Sequence, residues 1–332
     1  MGLPGFAGAA TGARARCGEA GGGLVTPKKS DGAIAFGLVL AVFLWGANNA
    51  GTKYIVAVWP PIFTGATRFL SAGLIMLGLF RWTHWLGEMR PLTPPLKRQL
   101  WWRGGFSLAV YIIAFNWALR LTSASHVALY LGASPVWALL WEGRPEKNWR
   151  TFQRYAAAVI ALTGVFVLFY PALKASHGNG WIGEVLGLCV SVLWTNYGRQ
   201  SRVLGASLSG AQASAHTMWR AGFLLLPLGL LELPGAALAW RTDLILIQLY
   251  CTVAGGVIAF ALWNSALGNW PASRVLLFNN LIPLSTTTWS HFCLGEPITP
   301  TFGLAMVLIV VGVVLGQTNW QKLLASSALP PE

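Results

Sequence analysis

The sequence predicts an all-α integral membrane protein in which ten transmembrane helices form two inverted repeats of five. Three observations lead to this fold class: an apolar composition, ten apolar runs of membrane-spanning length, and an internal repeat that places five runs in each half. Of the 332 residues, 55% are hydrophobic and only 10% are charged, whereas a soluble domain carries roughly 25% charged residues. The chain therefore lacks the polar side chains that would cover a soluble globule of this size.

Each apolar run has roughly 17 to 25 residues, which is enough for a helix to cross the hydrocarbon core of a bilayer. No segment between the runs is long enough to form a soluble domain. Two tails remain, a disordered one at 1–31 and a second at 320–332, and we expect both to be cytoplasmic. The predicted spans are residues 33–55, 62–80, 105–121, 125–141, 155–171, 181–198, 212–231, 244–266, 272–293 and 302–318.

An internal repeat relates the two halves of the chain. The segment 116–141 matches the segment 264–289 without gaps, with Pro135 aligned to Pro283. We predict a first five-helix repeat at 32–172 and a second at 180–319. Because five is an odd number, the repeats insert in opposite directions, as in many secondary transporters whose substrate site lies near the midplane. Further matches are Asn116 with Asn264, Trp45 with Trp194, Arg68 with Arg220 and Gly164 with Gly312.

The basic residues predict the orientation. A net charge of +13 would suggest a nucleic-acid partner in a soluble protein. In a membrane protein the same excess is typical of the positively charged inner loops. With the N-terminus inside, 17 of the 23 Lys and Arg residues fall on the inner side and three on the outer side. We therefore predict a multi-pass protein of the inner (plasma) membrane, with both termini cytoplasmic and no nucleic-acid partner.

Several short motifs occur in a characteristic order. A Leu-Trp-Gly-x-Asn sequence ends at Asn48, Arg68 follows on the second span, and each half has an Ala-Ser run leading to a helix proline. With Gly183-Glu184 and the Gly295 to Pro297 turn, these motifs resemble the drug/metabolite transporter (DMT) superfamily, EamA type, over residues 33–318. In the first half, Gly143-Arg144 departs from the usual Gly-Glu turn.

The resemblance implies a secondary carrier that exports small organic metabolites, such as amino acids or related zwitterionic or anionic solutes, by alternating access. It also implies that spans 1–4 and 6–9 surround a central cavity, with spans 5 and 10 set apart. Proton coupling is left open, as is the choice between monomer and homodimer. The sequence has no GxxxxGK[ST] loop, so ATP is not expected to drive transport, and no cofactor or metal is predicted.

Charged groups inside apolar runs are the first site candidates, because they usually face a cavity or a partner. Arg68 and Arg220 suit a carboxylate or phosphate, or alternatively hold the halves together through backbone carbonyls. Lys53 lies near the end of the first span, where it could attract a carboxylate or extend to interfacial water. No Asp or Glu lies in the middle of a span, and His126 lies near a span end, so a proton relay has little support.

Amides and aromatic rings complete the predicted site. Amides inside a membrane protein should point inward, to bond across helices or to a solute. Deep tryptophans could line a pocket or serve only in packing, and the span prolines Pro135 and Pro283 break the helical ladder as gating points or as static kinks. The predicted solute-binding residues are Trp45, Asn48, Asn49, Arg68, Trp137, Asn196, Arg220, Trp263, Asn279 and Asn280.

Two alternative functions stay open at this point. A lipid-intermediate flippase of the same superfamily would share the fold and the repeat. A lipid-modifying membrane enzyme would need a cluster of carboxylates, histidines or a metal near one face. The sequence contains no DxxD, HExxH or histidine cluster, so it favours a carrier that is not an enzyme.

Overall fold

A computed structural model of the protein describes residues 30–83, 85–141, 148–174, 180–234, 238–270, 275 and 277–317. The predicted C-terminal tail and all but the last two residues of the predicted N-terminal tail lie outside these ranges. So does the Gly143-Arg144 connection. Within the described residues the chain is helical and contains no strand.

Helices cover each of the ten predicted runs. We number them α1 to α10, treating directly joined segments as one helix. The bounds are α1 Asp31–Val56, α2 Pro61–Trp82, α3 Pro94–Leu121, α4 Ala124–Gly132 with Ser134–Trp141, α5 Trp149–Lys174, α6 Gly180–Gly205, α7 Gly210–Leu231, α8 Thr242–Tyr250 with Cys251–Ile258 and Ala259–Asn269, α9 Leu277–Leu281 with Ile282–Leu294, and α10 Pro300–Gln317.

Five helical segments in the described residues are long and apolar enough to cross a membrane, judged by length and composition. They are Asp31–Val56, Pro61–Trp82, Pro94–Leu121, Thr151–Leu168 and Thr242–Leu267. The helix Pro300–Gly316 is apolar but shorter. The helices α4 and α9 are each divided into two parts, so neither provides one long uninterrupted segment.

The divisions in α4 and α9 lie next to the two span prolines. Pro135 is the second residue of the segment Ser134–Trp141, and Pro283 is the second residue of Ile282–Leu294. Proline is accepted in the first turn of a helix, where its missing N–H would have no partner, but it cannot continue a preceding helix. Each proline therefore lies at the start of the second segment of its helix.

Two further interruptions are π-helical segments within α3 and α8. They cover Leu100–Phe106 and Cys251–Ile258, and each contains a Gly-Gly pair. A π-helical turn widens the backbone ladder by one residue and occurs frequently at functional sites. Hydropathy does not predict these segments, because π-helical and α-helical turns have the same apolar composition.

Glycines bring the closest helix pairs together. A β-carbon added to Gly164 of α5 would lie 2.9 Å from the carbonyl oxygen of Ala305 in α10, and one added to Gly312 would lie 2.6 Å from that of Ala157. In the same way, Gly73 of α2 lies against the backbone of Trp219 in α7. Such contacts are typical of membrane helices, where small residues let backbones approach.

The helices α1 and α6 have corresponding neighbours in the two halves of the chain. The helix α1 packs mainly on α8 and α9, and α6 packs mainly on α3 and α4. The pair α2 and α7 joins these two groups, and α5 packs mainly on α10. The polar residues of the candidate site lie where α1, α2, α8 and α9 meet.

Candidate functional site

Arg68 of α2 is at the centre of a polar cluster inside the helix bundle. Its side chain is buried, with 4% of its surface exposed. The Arg68 Nη1 donates to Thr52 Oγ1 at 2.5 Å and lies 3.5 Å from Asn48 Oδ1. Two side-chain oxygens of α1 therefore contact this guanidinium. No carboxylate of the described residues forms an ion pair with Arg68. The positive charge is therefore surrounded by neutral hydrogen-bonding groups.

The neighbouring amide extends this cluster to α9. Asn49 Nδ2 donates to Thr286 Oγ1 at 3.0 Å, and Asn48 Nδ2 lies 3.5 Å from Asn49 Oδ1. Asn49 and Thr286 are buried, and Asn48 is half-buried. We call Asn48, Asn49, Thr52, Arg68 and Thr286 the Arg68 cluster. Three helices contribute to it, and three of its five residues are among the predicted site residues.

Aromatic rings from α1 and α8 lie beside the Arg68 cluster. Trp45 Nε1 donates to the carbonyl oxygen of Gly255, in the π-helical segment of α8, at 3.0 Å. The Trp45 ring lies 5.2 Å from the ring of Trp263 and 5.2 Å from that of Phe260. A β-carbon on Gly255 would lie 2.6 Å from Asn48 Oδ1. The π-helical segment therefore holds both Trp45 and Asn48 in place.

Arg220 of α7 lies in a second cluster, made by α3 and α7. Its Nη1 donates to the carbonyl oxygen of His216 at 2.9 Å and lies 3.2 Å from His216 Nδ1. The guanidinium carbon stands 4.4 Å from the ring centre of Trp219 and 5.4 Å from that of Trp101. We call Trp101, His216, Trp219 and Arg220 the Arg220 cluster. As with Arg68, no ion pair to a carboxylate of the described residues is present.

The remaining predicted residues lie outside both clusters. Trp137 Nε1 donates to Ser191 Oγ at 3.0 Å and joins α4 to α6, and Asn196 Nδ2 donates to Ser107 Oγ at 3.1 Å and joins α6 to α3. Asn279 and Asn280 are half-buried in the 3₁₀ turn that begins α9. No hydrogen bond in the described part of the chain connects them to Arg68.

A match to a known protein family falls on the same two halves of the chain. The EamA-like transporter family profile matches residues 32–170 and 181–316. The chain belongs to the EamA-like transporter family. It is thus a membrane-spanning helical transporter of the type that the sequence motifs indicate, and family membership points to transport rather than to enzymatic activity.

Relatives of this transporter cover most of its chain. It is 23% identical to an uncharacterized transporter of Archaeoglobus fulgidus, over 84% of this chain and 95% of the relative. It is 22% identical to a probable amino-acid metabolite efflux pump of Escherichia coli, over 89% of this chain and 97% of the relative. A solved crystal structure with 19% identity covers 91% of this chain and 100% of its own, with a TM-score of 0.58, which shows likeness of fold alone.

Sequence reasoning missed a third polar cluster in this transporter, at the start of α4. Glu184 of α6 is buried and accepts hydrogen bonds from the Thr122 hydroxyl, from Tyr130 Oη at 2.6 Å and from His126 Nδ1 at 2.8 Å. Lys53 Nζ of α1 donates to the Thr122 carbonyl oxygen at 2.7 Å. We call these five residues the α4 N-terminal cluster. Its charged members lie near span ends, where hydropathy indicates only an interfacial position for a charged side chain.

Proposed function

We propose that this transporter exports small organic metabolites that carry a carboxylate, such as amino acids, across the inner membrane by alternating access. The observation that carries the proposal is the Arg68 cluster. A charged side chain inside a membrane protein is costly and is usually paired or faces the transport path. Arg68 is buried, and its partners in the described residues are neutral oxygens.

A solute carboxylate is the chemical group that best completes this cluster. A guanidinium forms its strongest hydrogen bonds with planar oxyanions, to which it can donate two parallel N–H groups. The Asn49 and Thr286 pair beside it offers neutral donors and acceptors for a polar amine or side chain. The ring of Trp45 offers an apolar face, which also attracts an ammonium group. A zwitterion therefore finds complementary groups within one cluster.

The names of two relatives support an amino-acid solute. The Escherichia coli relative is named a probable amino-acid metabolite efflux pump. A relative from Streptantibioticus cattleyicolor, 22% identical over 64% of this chain, is named a probable terminal-alkyne amino-acid exporter. Both names describe outward transport of molecules that carry a carboxylate. Our proposal applies that class of solute to the Arg68 cluster.

The packing of equivalent helices supports two inverted halves. In the α2–α7 pair, Gly73 lies against Trp219, and Gly222 lies against Leu70, so later residues of one helix meet earlier residues of the other. The α5–α10 pair has the same antiparallel pattern through Gly164 and Gly312. Equivalent helices of two repeats run antiparallel when the repeats are inverted. We therefore propose that the halves rock about an axis in the membrane plane.

The test is solute release from proteoliposomes that contain the full chain and are loaded with a panel of labelled amino acids. We expect Arg68→Gln to lower the release of the transported amino acid roughly 10- to 100-fold, because a charge-assisted hydrogen bond contributes about 1.5–3 kcal/mol. Asn49→Ala should lower it less, since a neutral pair is lost. An imposed pH gradient across the same vesicles tests proton coupling.

Matched controls separate the site from the fold. Arg120→Gln removes a guanidinium that donates to the carbonyl oxygen of Val56 at 2.9 Å on the exposed side of α3. Asn269→Ala removes an exposed amide that bonds within α8. Both controls should retain transport. Normal release by both Arg68→Gln and Asn49→Ala would refute the site, and lipid scrambling without amino-acid release would favour a flippase.

A further inference from the structure

We propose that the Arg220 cluster is a second binding site for the carboxylate of the solute, separate from the Arg68 cluster. The inference rests on the proposed function, because it assigns this site to the same transport path. It starts from hydrogen-bond donors that have no partner. Within the described residues, Arg220 Nε and His216 Nε2 are buried nitrogens without a hydrogen-bond partner. Buried polar groups are nearly always satisfied, so two such atoms on neighbouring side chains call for an explanation.

The free edge of Arg220 has the geometry that a carboxylate requires. The two hydrogen bonds of this guanidinium, to the carbonyl oxygen and Nδ1 of His216, both use Nη1. The edge formed by Nε and Nη2 makes no hydrogen bond within the described residues, and it is the edge that presents two parallel N–H groups. A carboxylate accepts from such a fork with both oxygens. The residue is 5% exposed, so water does not replace these bonds freely.

His216 supplies a further donor, unpartnered among the described residues, on the adjacent turn of α7. Arg220 can only donate, so the His216 Nδ1 that it approaches must accept and carries no proton. In the neutral ring the proton is then on Nε2, the nitrogen without a partner. The ring therefore offers an N–H group one helical turn from the guanidinium. The arginine fork and the imidazole N–H are thus two donor groups on adjacent turns of one helix, unpartnered in the described part of the chain, and both are suited to an oxyanion.

The walls of this site are rigid and apolar. Trp219 and Trp101 lie over the guanidinium with their ring centres 5.5 Å apart, and Trp219 Nε1 also donates to His216 Nδ1 at 3.4 Å. Gly105, in the π-helical segment of α3, would place a β-carbon 2.8 Å from Arg220 Cβ. The π-helical segment of α8 contacts Asn48 of the Arg68 cluster in a comparable way.

The two clusters lie at similar depths along the α2–α7 pair. In the antiparallel contact of α2 with α7, Gly73 faces Trp219 and Leu70 faces Gly222, so Arg220 lies level with residue 72 of α2. That position is four residues beyond Arg68, or about 6 Å along the helix axis at 1.5 Å per residue. The two guanidinium groups are therefore offset by about one helical turn along the direction that a solute follows across the membrane.

The experiment measures contact between a carboxylate and each arginine in the reconstituted full chain. The probe is acetate labelled with ¹³C at its carboxyl carbon, and the protein carries ¹⁵N in its arginine guanidinium groups. Solid-state dipolar recoupling detects dephasing of the acetate signal by nearby guanidinium nitrogen. We expect dephasing in the wild type, a reduced value in Arg68→Lys, and loss of the remainder in the double variant Arg68→Lys with Arg220→Lys.

Each outcome separates this inference from the proposed function. Complete loss of dephasing in Arg68→Lys alone would overturn the second site and leave the first. Loss of dephasing in Arg220→Lys but not in Arg68→Lys would support the second site and refute carboxylate binding at the Arg68 cluster. Dephasing that neither substitution changes would overturn both. Arg120→Lys is the matched control and should leave the signal unchanged.

A second measurement needs no arginine substitution and so does not depend on the folding of those variants. The wild-type protein is labelled with ¹⁵N only in its five histidines. Acetate dephasing by a histidine nitrogen that disappears in His216→Gln supports the site. The absence of a His216 contribution overturns it.

Discussion

His126 Nδ1 lies 2.8 Å from Glu184 Oε1, and this contact joins the first turn of α4 to the N-terminal part of α6. Glu184 also accepts from Tyr130 and Thr122, so one buried carboxylate holds three donors of the α3–α4 region. The His126 side chain is 29% exposed and that of Glu184 is 4% exposed. The carboxylate is thus the fixed member of the pair, and the imidazole is the member in contact with solvent.

We predict that Glu184→Gln destabilises the transporter by about 2 kcal/mol, because a buried charged acceptor loses its charge-assisted hydrogen bonds. The glutamine amide can still accept hydrogen bonds through its oxygen. Its NH₂ group, however, cannot accept from the Thr122, Tyr130 and His126 donors that the carboxylate binds. The measurement is thermal unfolding in detergent followed by size-exclusion chromatography. Glu88→Gln changes an exposed carboxylate and should have no effect. Equal stability of the two variants would contradict the role given to Glu184.

Glu296 caps the N-terminus of α4 from the turn that follows α9. It accepts from the backbone N–H of Ala124 at 2.7 Å and of Ser125 at 3.1 Å. Negative charge at a helix N-terminus satisfies free N–H groups and the helix dipole, and contributes about 1 kcal/mol. We predict that Glu296→Ala accelerates amide hydrogen exchange at Ala124 and Ser125.

A reciprocal control exists at the start of α2. Glu232 Oε2 accepts from the backbone N–H of Ile62 at 2.8 Å and of Phe63 at 3.1 Å. Glu232→Ala should accelerate exchange at these two amides and leave Ala124 and Ser125 unchanged, whereas Glu296→Ala should do the reverse. Exchange that rises at both helix starts in either variant would indicate general loosening instead of loss of one cap.

Sequence reasoning located the helices because apolar length alone decides which segments can span a bilayer. It also selected Arg68 and Arg220, since a guanidinium inside an apolar run is conspicuous. The sequence places Thr286 in a polar stretch of the ninth span that the first repeat lacks, but it does not identify Thr286 as the partner of Asn49, 237 residues away. Glu184 lies near a span end, where hydropathy indicates only an interfacial position. Its partner His126 is 58 residues away in the sequence, so sequence order does not reveal their contact. Such partners depend on which helices pack together, and hydropathy does not determine that.

The α5–α10 contact gives a prediction about packing. A β-carbon on Gly312 would lie 2.6 Å from the Ala157 carbonyl oxygen and 2.7 Å from the Ala161 backbone nitrogen. Backbone atoms cannot move aside locally, so we predict that Gly312→Val separates the two helices and lowers the melting temperature strongly. Gly303 of the same helix has no atom within 4 Å of an added β-carbon. Gly303→Ala should be neutral or stabilising, because alanine favours helix more than glycine by about 1 kcal/mol.

The π-helical segment of α8 gives a prediction about transport that does not alter a polar residue. Because a β-carbon on Gly255 would lie 2.6 Å from Asn48 Oδ1, Gly255→Ala should push the Asn48 amide away from Arg68. We expect a roughly tenfold loss of amino-acid release, equivalent to about 1.4 kcal/mol, with the protein still folded. Gly198→Ala, at a position in α6 with no atom within 4 Å, is the control.

A double-mutant cycle tests whether Gly255 acts through Asn48. Asn48→Gly removes Oδ1, Cγ and Cβ, the three side-chain atoms that the added methyl group would meet at 2.6, 2.8 and 2.9 Å, so the two changes should not add. We expect the double variant Gly255→Ala with Asn48→Gly to release solute as slowly as Asn48→Gly alone, since residues in contact show coupling and independent residues do not. Losses that multiply would mean that Gly255→Ala disturbs the helix by another route, for example through the hydrogen bond between Trp45 and the Gly255 carbonyl oxygen.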